Sequence, residues 1–257
     1  MLPLEDWLET AKALRLGAAI RIQHGSESRK NLEITNTATE WRCWCFSCNT
    51  GGIVRKDYVK MESVVERVGN KVVIPNDIKP WNPTDSTGLM IQKFLAARNM
   101  SPVFLPEIHV SDSTCRFFIK DQYGLWHGRD LTGRSGQKWM HEAYPSEPVV
   151  NTTTVLVEDL LSHYKLKWVF RKNNDVSIVC LFGTRISERL RAHIVARGVR
   201  RLVFALDGDR AGDAGYTKGH RDMNVWGIEC LRARPPEGKD PKDMFIEDLE
   251  KLLENAK

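Results

Sequence analysis

The chain has 257 residues, of which 42% are hydrophobic and 28% charged, and its formal net charge is +5. These values are typical of a soluble globular protein with a substantial core, and the mildly basic balance is compatible with a nucleic-acid partner. The sequence contains no run of about 18 apolar residues, so we expect no membrane-spanning helix. The first residues, MLPLEDWLET, lack the basic and then apolar pattern of a signal peptide, so we expect a cytoplasmic protein (in the host cytoplasm if it is viral).

The N-terminal segment predicts a small unit. Residues 4–16 carry apolar side chains at helical spacing, and AAIRIQHG and NLEIT predict short strands. WRCWCFSC and the turn NTGG follow. Because this unit contains little apolar mass, we expect a metal ion or another cross-link to stabilise it.

The middle of the chain predicts a linker and then a mixed segment. Residues 57–84 are polar and include KPWNPTD, whose prolines, Asn and Asp are typical of irregular backbone. TGLMIQKFLAARNMS predicts a helix, and RFFIKDQYGLWHGRDL predicts a hairpin that turns at DQYG.

From residue 151 onward, apolar strands and helices alternate. The predicted strands are TTTVLVE, VSIVCLFG, RRLVFALDGD and NVWGIECLRA. The predicted helices are LLSHYKLKWVF, RISERLRAHIVARG, AGDAGYTKGHRDM and PKDMFIEDLEKLLENA. Repeated strand–helix pairs with continuous apolar strands predict a mainly parallel sheet with helices on both faces, an α/β fold.

A cluster of cysteines in CWCFSC predicts a zinc site. Cys45 and Cys48 have the spacing that a tight turn presents to one ion, and Cys43 lies on the same face of a strand as Cys45. His24 can supply a nitrogen ligand, so we propose His24, Cys43, Cys45 and Cys48 as ligands of a structural Zn²⁺. The alternatives are inert core cysteines or a redox pair. The other three cysteines are expected in the core: Cys115, Cys180 and Cys230.

Carboxylates follow three of the predicted parallel strands. Glu158 closes the first strand, Asp207 and Asp209 close the third, and Asp240 and Asp243 follow the fourth. Ligands bind beyond the carboxyl ends of such strands, and acids crowded at one edge repel one another unless cations lie among them. Mg²⁺ prefers oxygen ligands, so the pattern predicts a site for phosphoryl or nucleotidyl transfer.

These acids resemble the signature of the Toprim domain, which occurs in bacterial-type primases, topoisomerases and some nucleases. The resemblance is carried by VLVEDLLSHYK, VFALDGDRAG and EGKDPKD. Asp159 stands where the family commonly has a small Gly.

The remaining chain resembles a bacterial-type (DnaG-like) DNA primase of the short form found in phages. FFIKDQYGLWHGRDLTGRSGQKWM resembles the basic subdomain that precedes Toprim, and the cysteine cluster resembles the primase zinc ribbon. The usual Cys before the His is absent, and Cys43 would supply that ligand. The resemblance implies four segments: a zinc ribbon at 1–56, a linker at 57–84, a basic subdomain of the RNA polymerase core at 85–150 and a Toprim catalytic domain at 151–257.

The resemblance implies a metal-dependent nucleotidyltransferase that makes short RNA primers for replication from ribonucleoside triphosphates on single-stranded DNA. The catalytic residues would be Glu158, Asp207 and Asp209, holding Mg²⁺ or Mn²⁺. Asp240 and Asp243 would either hold a second magnesium or have a purely structural role. Arg129 and Lys138 would contact phosphates, and the helix that begins near Arg210 would present amides to them. Trp139 either stacks on a base or closes a core.

The same resemblance suggests where the template binds and which partners are needed. Aromatic and basic residues of the ribbon suit single-stranded DNA: Trp41, Arg42, Trp44, Phe46, Arg55 and Lys56. The sequence has no G-x-x-x-x-G-K-[ST] motif, so we expect a separate replicative helicase, and no membrane partner. The alternatives left open are a Toprim nuclease and a non-enzymatic, recombination-mediator-like DNA-binding protein.

Overall fold

The computed structural model describes residues 2–26, 28–56, 74–143 and 148–256. The chain divides into two compact units, Met1–Arg67 with Ser187–Ala196, and Val68–Ile186 with Arg197–Lys257. Within the described ranges, no helix has the length and apolar character needed to cross a membrane.

The first unit contains an antiparallel four-stranded sheet in the order β1-β2-β3-β4. Its strands are β1 Ala19–Ile22, β2 Leu32–Asn36, β3 Glu40–Cys45 and β4 Thr50–Arg55. The predicted helix over 4–16 is shorter than expected: a 3-10 turn at Leu4–Asp6 precedes α1, Leu8–Ala13. The change occurs at Trp7, whose fully buried side chain packs with Leu32, Ile34 and Cys43 in the core of this sheet. Helix α4, Glu188–Ala196, belongs to the same unit.

The second unit begins with a five-stranded antiparallel sheet in the order β5-β6-β7-β8-β9. Its strands are β5 Lys79–Pro80, β6 Ile108–Ser111, β7 Arg116–Lys120, β8 Trp126–Asp130 and β9 Trp139–His141. Helix α2 spans Ser86–Ala96, and Asp85 is its N-cap. The Asp85 side chain accepts a hydrogen bond from the amide of Gly88 at 2.6 Å. The predicted hairpin is β7–β8, whereas the predicted linker over 57–84 contains β5. Residues 57–73 of that linker lie outside the described ranges.

A parallel four-stranded sheet in the order β11-β10-β12-β13 completes the second unit and confirms the predicted α/β fold. Its strands are β10 Thr153–Val157, β11 Val176–Cys180, β12 Arg201–Phe204 and β13 Glu229–Arg232. Its helices are α3 Leu160–Val169, α5 Arg210–Asn224 and α6 Ile246–Glu254. Val203 and Leu249 of α6 share one buried cluster. Phe204 points to the opposite face, which α5 covers. A Cβ on Gly219 of α5 would lie 2.4 Å from the ring of Phe204, so the helix packs closely on that ring.

The predicted C-terminal helix is divided. Pro241–Asp243 forms a 3-10 turn, and α6 begins only at Ile246. Asp240 and Asp243 form a reciprocal capping box, which satisfies two amides at the beginning of this turn that have no partner within it.

The antiparallel sheet and the parallel-sheet segment share one hydrophobic core. Ile91 and Leu95 of α2 and Phe117 of β7 pack in the same buried cluster as Leu161 and Tyr164 of α3. This cluster fixes β8 and β9 relative to the carboxyl end of β10.

Candidate active site

The central feature of the site is a contact between the ends of two neighbouring parallel strands. β10 and β12 pair in register from Thr153 with Arg201 to Leu156 with Phe204, so the residues that follow them reach the same sheet edge. Glu158 Oε1 accepts a hydrogen bond from the backbone N–H of Asp207 at 2.9 Å. The structure therefore places Glu158 beside the Asp207–Asp209 segment.

Two glycines allow the backbone to pass this closely. A Cβ on Gly208 would meet the carbonyl oxygens of Pro236 at 2.2 Å and of Pro235 at 2.8 Å. A Cβ on Gly212 would lie 2.1 Å from the carbonyl oxygen of Asp207 and 3.1 Å from Glu158 Oε1. The shortest of these distances are well below ordinary packing contacts, so positions 208 and 212 require glycine for steric reasons.

Asp209 and Arg210 mark the beginning of α5. Asp209 Oδ1 accepts a hydrogen bond from the amide of Gly212 at 2.8 Å and is the N-cap of the helix. Arg210, predicted to lie near phosphate, is the first residue of that helix and is exposed.

Asp240 and Asp243 lie near the same sheet edge, with a lysine between them that no sequence pattern marks as functional. Lys242 is 5% exposed, and its ammonium is 2.8 Å from Asp159 Oδ2 and also pairs with Asp240 Oδ2. Asp159 is in addition the N-cap of α3, since its Oδ1 accepts from the amide of Ser162 at 2.9 Å. The residue that departs from the Toprim pattern, Asp159, is therefore the ion-pair partner of Lys242.

Burial and mutual repulsion raise the pKa of the central acids. Burial raises the pKa of Asp207 to about 8, with Lys242 acting in the opposite direction and the carboxylates of Asp240 and Glu158 raising it further. Burial also raises the pKa of Glu158, and the nearby carboxylate of Asp209 adds to this effect. For Asp159, burial acts to raise the pKa, but the ammonium of Lys242, together with the amide of Ser162 and the charge of Arg129, lowers it. One lysine is thus the local counter-charge for several acids.

These acids border a cavity of about 700 Å³ whose other wall comes from the antiparallel sheet. Glu158, Asp207, Asp240 and Asp243 line it, together with Asp159 and Lys242. The predicted basic residues Arg129 and Lys138 and the predicted aromatic Trp139 line it as well. Asp209 and Arg210 are not among the described lining residues. The structure therefore brings most of the predicted site residues to one cavity.

Arg129 is held between two aromatic rings. Its guanidinium carbon is 5.5 Å from the ring centroid of Phe94 and 5.4 Å from that of Trp139. Burial lowers the pKa of Arg129, while the carboxylate of Asp159 acts against this shift. Its buried Nε has no hydrogen-bond partner among the described residues. A desolvated guanidinium with an unused donor at a cavity wall suits a phosphate ligand.

Trp139 contributes both to the core and to the cavity. Its ring packs edge-on against Phe117 and stacks on His141, with centroids 6.4 Å and 5.9 Å apart. His141 also lines the cavity, and its Nδ1 is 2.9 Å from Nδ1 of the fully buried His127. Trp139 is therefore placed for either predicted role. His141 and His127 lie on neighbouring strands 14 residues apart, and no local sequence pattern indicates that they meet.

The acidic residues fit a divalent cation. All the donors are carboxylate oxygens, which Mg²⁺ and Mn²⁺ prefer. The buried Asp207 Oδ1 has no hydrogen-bond partner among the described residues. The ligand atoms of Glu158, Asp207 and Asp209 do not all lie within 4.8 Å of one another. In the part of the chain that the structure describes, one group of potential metal ligands meets that distance, and it lies elsewhere.

That other group is formed by His24, Cys45 and Cys48 in the first unit. Cys48 Sγ is 3.7 Å from His24 Nδ1 and 2.8 Å from Thr50 Oγ1. Hydrogen bonds with Thr50 and Cys45 lower the pKa of Cys48, which favours the thiolate form that binds metal. The structure therefore brings three of the four predicted zinc ligands together.

Cys43, the fourth predicted ligand, is not part of this group. It lies in the ribbon core opposite Gly52, and burial raises the pKa of its thiol to about 11. The assignment of Cys43 as a ligand stays a prediction.

Residues 157–245 match the Toprim-like family, which confirms the resemblance to the Toprim domain. No curated protein sequence matches the chain at a significant level.

Several solved structures of primase fragments are similar to this chain. The RNA polymerase domain of Mycobacterium tuberculosis primase DnaG is 13% identical, with a TM-score of 0.50, covering 68% of this chain and 78% of that one. The zinc-binding and RNA polymerase domains of Aquifex aeolicus primase are 15% identical, with a TM-score of 0.44 and coverage of 98% and 83%. The primase fragment of the bacteriophage T7 primase-helicase protein is 11% identical, with a TM-score of 0.36 and coverage of 84% and 92%. At the level of the fold, the Mycobacterium tuberculosis structure confirms the resemblance found in the sequence.

Proposed function

We propose that this protein is a DNA primase that joins ribonucleoside triphosphates on a single-stranded DNA template and releases pyrophosphate. The observation that carries the proposal is the 2.9 Å contact between Glu158 Oε1 and the Asp207 amide, beside a cavity that Arg129 and Lys138 also line. Acids that can hold a divalent cation and bases that can hold phosphate thus share one cavity. That combination is what nucleotidyl transfer requires.

Each part of the cavity has a role in this proposal. Glu158, Asp207 and Asp209 would hold Mg²⁺ or Mn²⁺, which when bound lowers the barrier by neutralising charge on the reacting oxygens. Arg129, fixed between Phe94 and Trp139, would orient a phosphate group of the triphosphate or the template. Lys138 is exposed at the cavity rim and would steer the polyanion towards it.

The first unit would bind zinc and the template. His24, Cys45 and Cys48 supply nitrogen and sulfur donors of the kind found in structural zinc sites. Trp44 and Phe46 are 43% and 54% exposed, and Arg21 lies 4.7 Å from the ring of Phe46. Exposed rings with an arginine beside one of them suit single-stranded DNA, because bases stack on aromatic side chains and cations attract the phosphates. Lys56, predicted to be part of this surface, is instead buried and donates to Asn36 Oδ1 at 2.6 Å.

A three-way assay tests the proposal. The full zinc-loaded chain is incubated with Mg²⁺, a mixed-sequence single-stranded DNA and labelled ribonucleotides, and the products are separated on denaturing gels. Short alkali-labile RNA is the expected result. Degraded DNA would indicate a Toprim nuclease, and bound but unchanged DNA a recombination-mediator-like protein. Asp207→Asn should abolish the RNA, whereas Asp248→Asn, which neutralises an exposed carboxylate on α6, is the matched control.

The helicase partner is also part of the proposal. We propose that a replicative helicase supplies the unwound template, because residues 1–257 contain no G-x-x-x-x-G-K-[ST] motif with which to bind the nucleotide that drives unwinding. Adding the replicative helicase of the same replication system should raise primer yield on duplex DNA with a single-stranded tail. An unchanged yield would contradict the proposed helicase partnership.

A further inference from the structure

Lys242 occupies an unusual place for a lysine. It is 5% exposed, and its ammonium is bracketed by Asp159 Oδ2 at 2.8 Å and by Asp240 Oδ2. Lysine is almost never buried without a partner, so these two carboxylates account for its position. Its side chain also lines the same cavity as Glu158 and Asp207.

The backbone around Lys242 is fixed by a second buried lysine. Lys165 of α3 is fully buried, and its ammonium donates to the carbonyl oxygens of Asn99 at 2.8 Å and Lys242 at 2.9 Å, and to that of Met244. The capping box of Asp240 and Asp243 holds the same turn from the other side. Lys242 is therefore held in place rather than free to swing away from the acids.

These contacts divide the acids at the sheet edge into two sets. Asp159 and Asp240 are neutralised by Lys242, and Asp243 is engaged in the capping box. Asp207 Oδ1, by contrast, is buried and has no hydrogen-bond partner among the described residues. Glu158 accepts a hydrogen bond from the Asp207 amide at 2.9 Å, so its carboxylate lies where it can share a cation with Asp207.

We infer that Lys242 is a built-in cation that takes the place of a second divalent ion, so that the acidic site holds one metal ion. This inference rests on the proposed metal site at Glu158, Asp207 and Asp209. It departs from the sequence-based assignment of Asp240 and Asp243 to a second magnesium. Asp159, in the position where the Toprim pattern commonly has Gly, is the matching partner of the lysine.

Metal counting tests the inference without depending on catalysis. The zinc-loaded full chain is titrated with Mn²⁺, and free Mn²⁺ is measured by electron paramagnetic resonance. Wild type should bind one Mn²⁺ per chain. Lys242→Met should bind two, because Asp159 and Asp240 then lack their counter-charge. Asp240→Asn combined with Lys242→Met should return the count to one.

Two further variants keep the result interpretable. Lys242→Arg retains the charge and should bind one ion, and Lys251→Met, which removes an exposed lysine of α6, should also bind one. If Lys242→Met is unstable without metal, Mn²⁺ should raise its melting temperature by more than it raises that of wild type. Two ions in wild type, or one ion and no extra thermal shift in Lys242→Met, would overturn the inference.

The outcome is distinguishable from failure of the proposed function. A chain that makes no primers but shows the one-to-two change on Lys242→Met would overturn the primase proposal and leave the role of Lys242 intact. A wild-type chain that makes primers and binds two Mn²⁺ ions would support the primase proposal and overturn the inferred role of Lys242.

Discussion

Glu158 Oε1 accepts a hydrogen bond from the backbone N–H of Asp207 at 2.9 Å, across the ends of two adjacent parallel strands. The contact joins acids that are 49 residues apart in the chain. It depends on backbone geometry as much as on side chains, because Gly208 and Gly212 leave no room for a Cβ.

Glu158→Gln removes the charge and retains an oxygen that can accept the Asp207 amide. We expect a nearly unchanged melting temperature and a fall in primer synthesis of roughly 100-fold, equivalent to ~2.7 kcal/mol of transition-state stabilisation. Single-turnover primer assays and circular dichroism measure the two effects. Glu250→Gln, on the exposed side of α6, is the control. Full activity in Glu158→Gln would remove this glutamate from the metal site.

Gly208→Ala should damage the site through the backbone. The added methyl would lie 2.2 Å from the carbonyl oxygen of Pro236, so the 235–239 segment must move away from the acids. We expect a loss of about 1–3 kcal/mol in the free energy of unfolding, together with weaker Mn²⁺ binding. Gly136→Ala, where a Cβ would meet nothing within 4 Å, should change neither quantity. Equal behaviour of the two variants would contradict the close approach.

Arg129→Lys should separate charge from shape. Lysine keeps the positive charge but loses the planar group between Phe94 and Trp139, along with its fork of donors. We expect a KM for ribonucleotides or template raised roughly tenfold, equivalent to ~1.4 kcal/mol, and a larger effect in Arg129→Ala. Steady-state kinetics with each substrate varied in turn identify the ligand concerned. If Arg129→Lys matches wild type for both substrates, the guanidinium contacts neither.

The zinc ligands can be ranked by chelator competition. Because Cys48 belongs to the three-residue group and Cys43 does not, Cys48→Ser should release zinc at a lower chelator concentration than Cys43→Ser. A colorimetric chelator and elemental analysis measure retention. Equal loss in the two variants would support Cys43 as the fourth ligand. Greater loss in Cys43→Ser would contradict the ranking.

The buried ammonium of Lys165 should make stability depend on pH. Burial lowers the pKa of Lys165 from 10.5 to about 8, so between these values the unfolded chain binds more protons than the folded chain. The contribution of this group to the free energy of unfolding therefore rises with pH across that window. Denaturant titrations of the zinc-loaded chain without added Mg²⁺ or Mn²⁺ should show the rise in wild type. Lys165→Met should lack it and lose about 1–3 kcal/mol below pH 8, because carbonyl groups lose their donor. A rise that persists in Lys165→Met would assign the effect to another group.

Much of the fold could be predicted from local pattern. Continuous apolar strands between helices identified the parallel sheet, and the strand-end carboxylates identified its functional edge. Shorter elements such as β5 and β9 were missed, since two or three residues carry no readable period and form strands only because neighbouring strands pair with them.

The acidic residues of the site could be predicted from the sequence, whereas the lysine that neutralises some of them could not. Asp207 and Asp209 stand out because they close an apolar strand. Lys242 gave no such signal, since a lysine beside two aspartates in KDPKD is equally typical of an exposed turn. Its ion pair with Asp159 joins positions that are far apart in sequence, and only the folded chain shows it. The same holds for Lys165, whose acceptors are backbone carbonyls that no side-chain pattern encodes.

Sequencing of the products made on a long single-stranded DNA that contains every trinucleotide tests the central claim most directly. The zinc-loaded chain with Mg²⁺ and four ribonucleotides should yield short RNAs complementary to the template, and Asp207→Asn should yield none. RNA whose sequence ignores the template, or nicked DNA without RNA, would contradict template-directed synthesis at this site.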